Sequence, residues 1–189
     1  MKNLVISILL LITLTLFCSC SETETYISEV NDAPFIQSLY FESLMEKSDV
    51  IAEIEITDNI GETDNPSPKT FFQADVITVI KGDKKLATLK FMQGVNSGYT
   101  YEGYKVFEVG QTLVLFLAKA VGEEYSEDMF WIRGDYLSVI RIDTVDGKDY
   151  ANKLFGTFKD FPFENKENTF KSLRYERERL FEEIAARMD

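Results

Sequence analysis

The sequence predicts a mainly β protein, in which one small antiparallel barrel has a helix on either side of it in the chain. Three observations favour this fold. Several short segments alternate apolar and polar residues or are rich in β-branched and aromatic residues, which is typical of strands. Segments with apolar residues at helical spacing lie before and after them. Because several short strands in one domain must cover their edges, we expect five to seven strands to close into a barrel.

The first predicted element is a short N-terminal amphipathic helix over residues 35–47, which ends at Ser48. Its apolar residues at helical spacing are Ile36, Leu39, Tyr40 and Leu44. Residues 50–57 alternate with a period of two, so we expect the first strand there, with one face buried. Residues 58–69 are dense in Asp, Asn, Gly and Pro and predict a loop.

The middle of the chain predicts three more strands. Residues 70–81 are rich in β-branched and aromatic residues and end at a Lys-Gly-Asp turn. Residues 86–93 alternate again, with Leu89 and Phe91 on one face. Residues 112–118 are almost continuously apolar, which indicates a strand buried on both faces.

Two further strands are predicted over residues 129–133 and 136–142, separated by Gly134-Asp135. Residues 145–148 read Val-Asp-Gly-Lys, and Asp-Gly at the centre of such a segment favours a hairpin turn.

The last predicted element is a longer C-terminal amphipathic helix over residues 168–188, with Asn168 as its N-cap. Its apolar stripe consists of Phe170, Leu173, Leu180, Phe181, Ile184 and Met188. Such a stripe could dock a partner helix, but it more often covers the end of a sheet, and we expect the second arrangement.

The N-terminal segment predicts a cleaved signal peptide. Residues 4–17 form an uncharged apolar run that would span about 20 Å as a helix, less than a bilayer core requires. The run is followed by Cys-Ser-Cys, so that the small residue Ser19 directly precedes Cys20. This ending resembles a bacterial lipoprotein signal, and the resemblance implies cleavage between Ser19 and Cys20 and lipidation of Cys20. Cys18 is the competing position, and an ordinary secretory signal or an uncleaved anchor is the alternative.

The chain is thereby divided into a signal peptide over residues 1–19, a lipidated cysteine with a flexible acidic tether over 20–34, and one domain over 35–189. Calcium binding by the tether is the alternative, but its acidic residues lack the spacing of a calcium loop. Ser21 is not the Asp associated with inner-membrane retention. We therefore expect the outer membrane if the host has two membranes, and the cell surface otherwise.

Composition excludes several classes of function. The chain has 20 Lys and Arg against 32 Asp and Glu, a net charge of −12, so we expect no nucleic-acid partner. It has no histidine, and both cysteines lie in the predicted signal region. This removes Cys–His and Ser–His–Asp nucleophilic systems and nearly every zinc site. We expect no catalytic residues, no metal and no cofactor.

Part of the chain resembles a known family of extracellular domains. Ser-Asp-Val-Ile at 48–51 leads the first strand, residues 74–83 run from Ala-Asp-Val-Ile to Lys-Gly-Asp, and Phe-Glu-Val-Gly-Gln at 107–111 precedes the apolar strand at 113–117. This order resembles the barrel shared by tissue inhibitors of metalloproteinases and netrin C-terminal (netrin-like) modules. The resemblance implies an OB-type five-stranded barrel with packing helices. The inhibitory chemistry does not carry over, because it needs a free N-terminal cysteine and disulfides.

The loop over residues 94–104 is the candidate binding surface. Tyr99, Tyr101 and Tyr104 lie among Gly, Asn and Ser residues, a mixture typical of binding loops. OB barrels also bind ligands through strand faces and loops. The alternative is a long hairpin whose tyrosines pack on the rim of the barrel.

Two other sets of residues are weaker candidates. Phe130-Trp131 could stack on a sugar or base, but an isolated Trp beside apolar neighbours is more often part of the core. The acidic pairs Glu123-Glu124 and Glu127-Asp128 could act as a glycosidase-like carboxylate pair, although solvated loop charge is the simpler interpretation.

These inferences together predict a non-catalytic, lipid-anchored, extracytoplasmic module of the cell envelope. We expect its partners to be the membrane, through the lipid, and an envelope protein or extracellular ligand that the sequence does not identify. The alternative is an inhibitor of a secreted enzyme that acts through a loop at the barrel edge. A carboxylate-based hydrolase ranks last.

Overall fold

The structure is a computed structural model, and it describes most of the chain from residue 40 onward. The residues described are 40–100, 103–122, 125–126, 128–161, 163 and 170–188. The predicted signal peptide and tether, including Ser19 and Cys20, lie outside these residues. No helix within them has the length and apolar character needed to span a bilayer.

The described residues form eight strands and two α-helices. The strands are β1 Val50–Thr63, β2 Lys69–Lys81, β3 Thr88–Gln93, β4 Thr112–Lys119, β5 Met129–Ile132, β6 Ile140–Val145, β7 Lys148–Lys153 and β8 Tyr175–Glu176. The helices are α1 Phe41–Lys47 and α2 Arg177–Ala185.

Five of the strands close into a barrel, which confirms the predicted mainly β class and barrel architecture. The strand order is β1-β2-β3-β5-β4, and β4 pairs again with β1. Every pairing in this ring is antiparallel except that of β3 with β5, which is parallel. The small antiparallel barrel expected from the sequence therefore contains one parallel pairing. The reason is geometric, because a closed ring of five strands cannot reverse direction at every step.

The sheet continues beyond the barrel through β6, β7 and β8. β5 and β6 share one edge of β4: β5 pairs with residues 117–119 of β4, and β6 pairs with residues 113–114. β6 and β7 form the hairpin predicted from Asp146-Gly147. The strand predicted over residues 136–142 is displaced, because a 3₁₀ turn occupies Asp135–Leu137 and β6 begins at Ile140.

β1 is longer than the alternation of its residues suggests. It continues through residues 58–63, which were predicted to be loop, and pairs there with the start of β2. Four register shifts along this pairing mark bulges. Bulges bend and twist a strand, which is the curvature that a closed barrel requires. Polar residues on both faces do not prevent the pairing, because the ladder is formed by backbone groups.

Two apolar cores lie on opposite sides of β1 and β4. Ala52, Ile54 and Ile56 of β1 point into the barrel, where they pack in the inner core. Ile51 points outward into the outer core, which also contains Phe116 of β4. All six residues from Leu113 to Ala118 are buried, which confirms the prediction that this strand is covered on both faces.

The outer core is covered by α1, α2 and the described residues between β7 and α2. Phe170 lies in an aromatic cluster 4.9 Å from Phe41, between ring centroids. The described residues from 170 to 176 are not helical, and α2 begins only at Arg177, later than the predicted helix. The predicted N-cap, Asn168, lies outside the described residues. Burial of Phe170 and pairing of β8 with β7 replace the first part of the predicted helix.

Candidate binding cleft

A cleft of about 170 Å³ opens where β3 and β5 end. Its lining consists of Lys69, Met92, Gly94, Trp131, Ile132 and Asp135. β3 and β5 are the parallel pair, with Met92 opposite Trp131. Because parallel strands end at the same side of a sheet, the segments that follow them emerge together. A Cβ atom on Gly94 would lie 3.4 Å from Oδ2 of Asp135, so the two segments meet at the mouth of the cleft.

A tight turn after β5 directs Asp135 to this position. Gly134 and Asp135 both have positive φ angles, +79° and +47°. A Cβ atom on Gly134 would lie 3.0 Å from Cδ2 of Leu44 and from Cβ of Ser138, so this position requires glycine. Ser138 Oγ donates hydrogen bonds to the carbonyl oxygens of Arg133 and Asp135, at 2.6 and 2.9 Å, and closes the turn. Left-handed non-glycine residues of this kind occur often at functional sites.

Burial changes the acid–base properties of this corner. The pKa of Asp135 is raised, because burial disfavours its charged form. The pKa of Tyr104 is also raised well above its usual value, first by burial and then by the negative charge of Asp135. A partly desolvated carboxylate of this kind interacts more strongly with a donor or cation than an exposed one does.

The floor of the cleft is apolar. Met92 and Ile132 are buried, and Trp131 is half-buried, with the guanidinium of Arg133 5.0 Å from the centre of its ring. Phe130, the neighbour of Trp131, is buried in the inner core. The structure therefore separates two residues that the sequence treats together, because neighbouring side chains on a strand point to opposite faces.

The predicted binding loop is fixed to the end of the β1–β2 hairpin. Asn96 and Tyr99 exchange two backbone hydrogen bonds of 3.1 Å, which closes a small turn. Asn96 Nδ2 donates to Oδ1 of Asp64 at 2.6 Å, and Ser97 Oγ donates to Glu62 at the same distance. The side of this loop that carries Tyr99 is exposed, with 51% of that residue accessible.

The three candidate tyrosines do not share one surface among the residues that the structure describes. Tyr104 is 1% exposed and packs edge-on against Phe107 and Phe155, with ring centroids 5.7 and 5.9 Å apart. Tyr104 therefore belongs to the inner core, and its hydroxyl faces the corner that holds Asp135. Tyr101 lies outside the described residues.

Of the acidic pairs, Glu123, Glu124 and Glu127 lie outside the described residues. Asp128 forms a salt bridge of 3.0 Å with Lys90, at the opposite end of the β3–β5 pair from the cleft. Its pKa is lowered by a hydrogen bond from Ser126 and by Lys90. Nowhere in the described part of the chain do three Asp, Glu, His or Cys side chains gather as a metal site would require.

Sequence analysis missed Asp135 and Lys69 as cleft residues. The sequence prediction treats Gly134-Asp135 only as a break between two strands. Gly-Asp after an apolar strand also indicates a turn, and such a turn can place a carboxylate at the end of the strand. The pairing that brings Asp135 beside Gly94 joins segments far apart in the chain, and no local pattern predicts it.

Comparison of the chain with models of protein families and with curated proteins finds no match.

Proposed function

We propose that this chain is an extracytoplasmic, lipid-anchored module that binds its ligand without catalysis, in the cleft beside Asp135. One observation carries the proposal: an apolar floor and a partly buried carboxylate converge on one concave site. Ligand sites typically combine an apolar lining with a few polar groups that fix orientation. The described lining offers one carboxylate and one ammonium group, and no nucleophile paired with a base, so binding suits it better than bond cleavage.

The barrel supports a more specific assignment of fold. The order β1-β2-β3-β5-β4, closed by β1 with β4 and containing one parallel pair between β3 and β5, fits an OB-type barrel. This agrees with the resemblance to netrin-like modules. We propose that residues 35–189 form one domain of this type.

Location follows from the N-terminal sequence. Ser19-Cys20 after an apolar run supports cleavage and lipidation at Cys20. Three acyl chains, each contributing about 0.8 kcal/mol per buried methylene, would hold the domain at a membrane for the lifetime of the protein. Because Ser21 follows the cysteine, the outer membrane is the proposed location in a host with two membranes.

Labelled palmitate tests the location. We expect incorporation into the native chain and into the Cys18→Ala variant, which is the matched control, and loss of label from Cys20→Ala. Label retained by Cys20→Ala would refute lipidation at this residue.

Capture from envelope extract tests the binding role of the cleft. The mature lipidated chain should retain an envelope component that Trp131→Ala releases. Tyr150→Ala is the matched control, because Tyr150 also carries an arginine against its ring, Arg174 at 4.3 Å, but lies outside the cleft. Equal capture by Trp131→Ala and Tyr150→Ala, at equal melting temperatures, would contradict the proposal.

Inhibition of a secreted enzyme is the second candidate. The exposed Tyr99 on a loop clamped by Asn96 and Ser97 favours it, because protein inhibitors typically present rigid loops. Micromolar inhibition of a secreted hydrolase that is lost in Tyr99→Ser would support this role over the cleft. A carboxylate-based hydrolase has the least support, since glycosidase chemistry needs two carboxylates and the described cleft lining contains only Asp135.

A further inference from the structure

We infer that the cleft selects a compact hydrophobic amine, with a ring-sized apolar body on Met92, Ile132 and Trp131 and an ammonium group against Asp135. This inference rests on the proposed function and names the chemistry of the ligand. The amine is either a free molecule or the end of a longer chain, and the two sources are separated below.

The volume of the cleft limits the size of the apolar part of the ligand. Its volume is about 170 Å³. An apolar cavity of about 150 Å³ holds one benzene molecule, as shown for an engineered cavity in another protein. One ring or a short branched aliphatic group therefore fills the available space. Trp131 and Met92 suit such a group, because both offer broad, polarisable apolar surface.

The charges of the lining set the polar end of the ligand. Asp135 is the carboxylate of the described lining, and its side chain lies within van der Waals reach of the open space above Gly94. Lys69 also lines the cleft, but its Nζ donates a hydrogen bond of 3.0 Å to Oγ of Ser67, on the loop side. The guanidinium of Arg133 lies over the ring of Trp131. Because Lys69 and Arg133 are engaged by these contacts within the protein, we place the cationic group of the ligand beside Asp135.

The position of Asp135 is fixed before any ligand arrives. The Gly134-Asp135 turn is closed by Ser138 and has no space for a side chain at Gly134. A pre-organised group loses little entropy on binding. The left-handed backbone of Asp135 is also tolerated by Asn, so Asp135→Asn removes the charge and leaves the turn intact.

The chain carries its own probe of the cleft. Trp131 is the only tryptophan of the sequence, so fluorescence excited at the red edge of absorption reports on the cleft alone. Benzylamine, benzyl alcohol and benzoate share a ring and differ in charge. Titrated into the mature lipidated protein in detergent, benzylamine should bind with a Kd on the order of a millimolar. Benzyl alcohol should bind roughly tenfold more weakly and benzoate more weakly still, since a hydrogen bond to a charged group contributes about a tenfold factor or more.

Three variants test the placement of the amine. Asp135→Asn should weaken benzylamine about tenfold and leave benzyl alcohol within about twofold. Gly94→Ala should weaken all three probes, because the new methyl group would lie 3.4 Å from the Asp135 carboxylate, in the mouth of the cleft. Gly98→Ala is the control, since it lies in the same loop and its methyl group would meet only Oδ1 of Asn96, at 3.6 Å.

The outcomes decide between clear alternatives. The inference is overturned if benzoate binds as well as benzylamine, or if Asp135→Asn leaves benzylamine unchanged while its melting curve matches that of the native chain. A second arm uses phenylalanyl-glycyl-glycine amide, which carries a ring and a nearby primary amine at the end of a peptide, at a pH low enough to protonate its α-amino group. Binding of both probes assigns a chain-borne amine, and binding of benzylamine alone assigns a free one. If the amine probes do not bind as expected, palmitate labelling and Trp131-dependent capture still test the proposed function independently.

Discussion

The inner and outer cores differ in how the chain builds them. The inner core is filled mostly from regular strands, whose alternate residues point into the barrel. The outer core is dominated by phenylalanines, and several of them come from segments that are neither helix nor strand. Charged groups hold this outer layer against the barrel: Arg177 of α2 donates two hydrogen bonds to the carboxylate of Glu53 on β1. Strand periodicity thus specifies one core, whereas tertiary contacts between distant residues specify the other.

The inner core should give the largest loss of stability. Phe91 is fully buried and stacks on Phe72, with ring centroids 5.2 Å apart. We expect Phe91→Ala to lower the free energy of unfolding by about 4 kcal/mol, because it leaves a cavity that the strands cannot close. Urea denaturation measures this loss, and hydrogen exchange should accelerate in all five barrel strands. Acceleration limited to β3 would show that the barrel is not one cooperative unit.

The outer layer should respond to charge as well as volume. Glu53 is 2% exposed, so Arg177→Met leaves a buried carboxylate without its cation. We expect the free energy of unfolding to fall by about 3 kcal/mol. Hydrogen exchange should accelerate more in α2 and β8 than in the barrel strands. The double variant Glu53→Leu with Arg177→Met should recover most of that loss, because it removes both charges. A double variant as unstable as the single one would mean that packing around Arg177, rather than its charge, holds α2.

Gly134 connects the outer layer to the cleft, since it lies against Leu44 of α1 and precedes Asp135. Gly134→Ala combines a strained φ with a clash, and we expect a loss of about 2 kcal/mol in urea denaturation. Gly110→Ala is the control, because Gly110 also has a positive φ, +86°, but no atom within 4 Å of an added Cβ. Equal losses in the two variants would show that backbone strain alone determines the effect.

The smallest effect should come from the charge of Asp135 itself. Because burial raises the pKa of this group in the folded state, the folded protein binds its proton more tightly than the unfolded chain does. Stability from this group is complete below the unfolded pKa of about 3.9 and decreases as pH rises through the folded pKa. We therefore expect Asp135→Asn to melt at a higher temperature than the native chain at neutral pH.

Thermal melting from acid to neutral pH measures this difference, which should shrink to zero at acid pH. A native chain more stable than Asp135→Asn at neutral pH would show that partners of the carboxylate, such as the Tyr104 hydroxyl, outweigh the cost of burying its charge. The proposed ligand binding and the stability of the fold would thus place opposite demands on this residue.

Sequence analysis was most successful where one strand carries its own pattern. The run from Leu113 to Ala118 is apolar at every position, which predicted a strand covered on both sides. It failed where pairing or packing joins distant segments. Residues 58–63 were expected to be loop because their side chains are polar, but the β1–β2 ladder depends on backbone groups. Phe170 suited a helical stripe, but its packing against Phe41 places it in an irregular segment.

The same distinction between local patterns and long-range pairing explains which cleft residues the sequence could predict. Trp131 was expected to be core because its neighbours are apolar, and the structure places it half-buried in the cleft wall. Asp135 comes to line the cleft only because β5 pairs in parallel with β3. The presence of one parallel pair is predictable for a five-stranded barrel, since a closed ring with an odd number of strands requires one. Which two strands form that pair is not predictable from local patterns, because it depends on packing across the whole barrel.

The shortness of β8 has a consequence for copies of this chain that share a membrane. β8 has two residues, which pair with Tyr150 and Ala151 of β7, and Lys148 lies 3.7 Å from Glu176 beside them. A neighbouring molecule that added a strand at β8 would meet two residues beside charged side chains instead of a long row of free amides and carbonyls. Lateral crowding, which the proposed anchorage would impose, thus finds little backbone at β8 on which strand-by-strand polymerisation could begin.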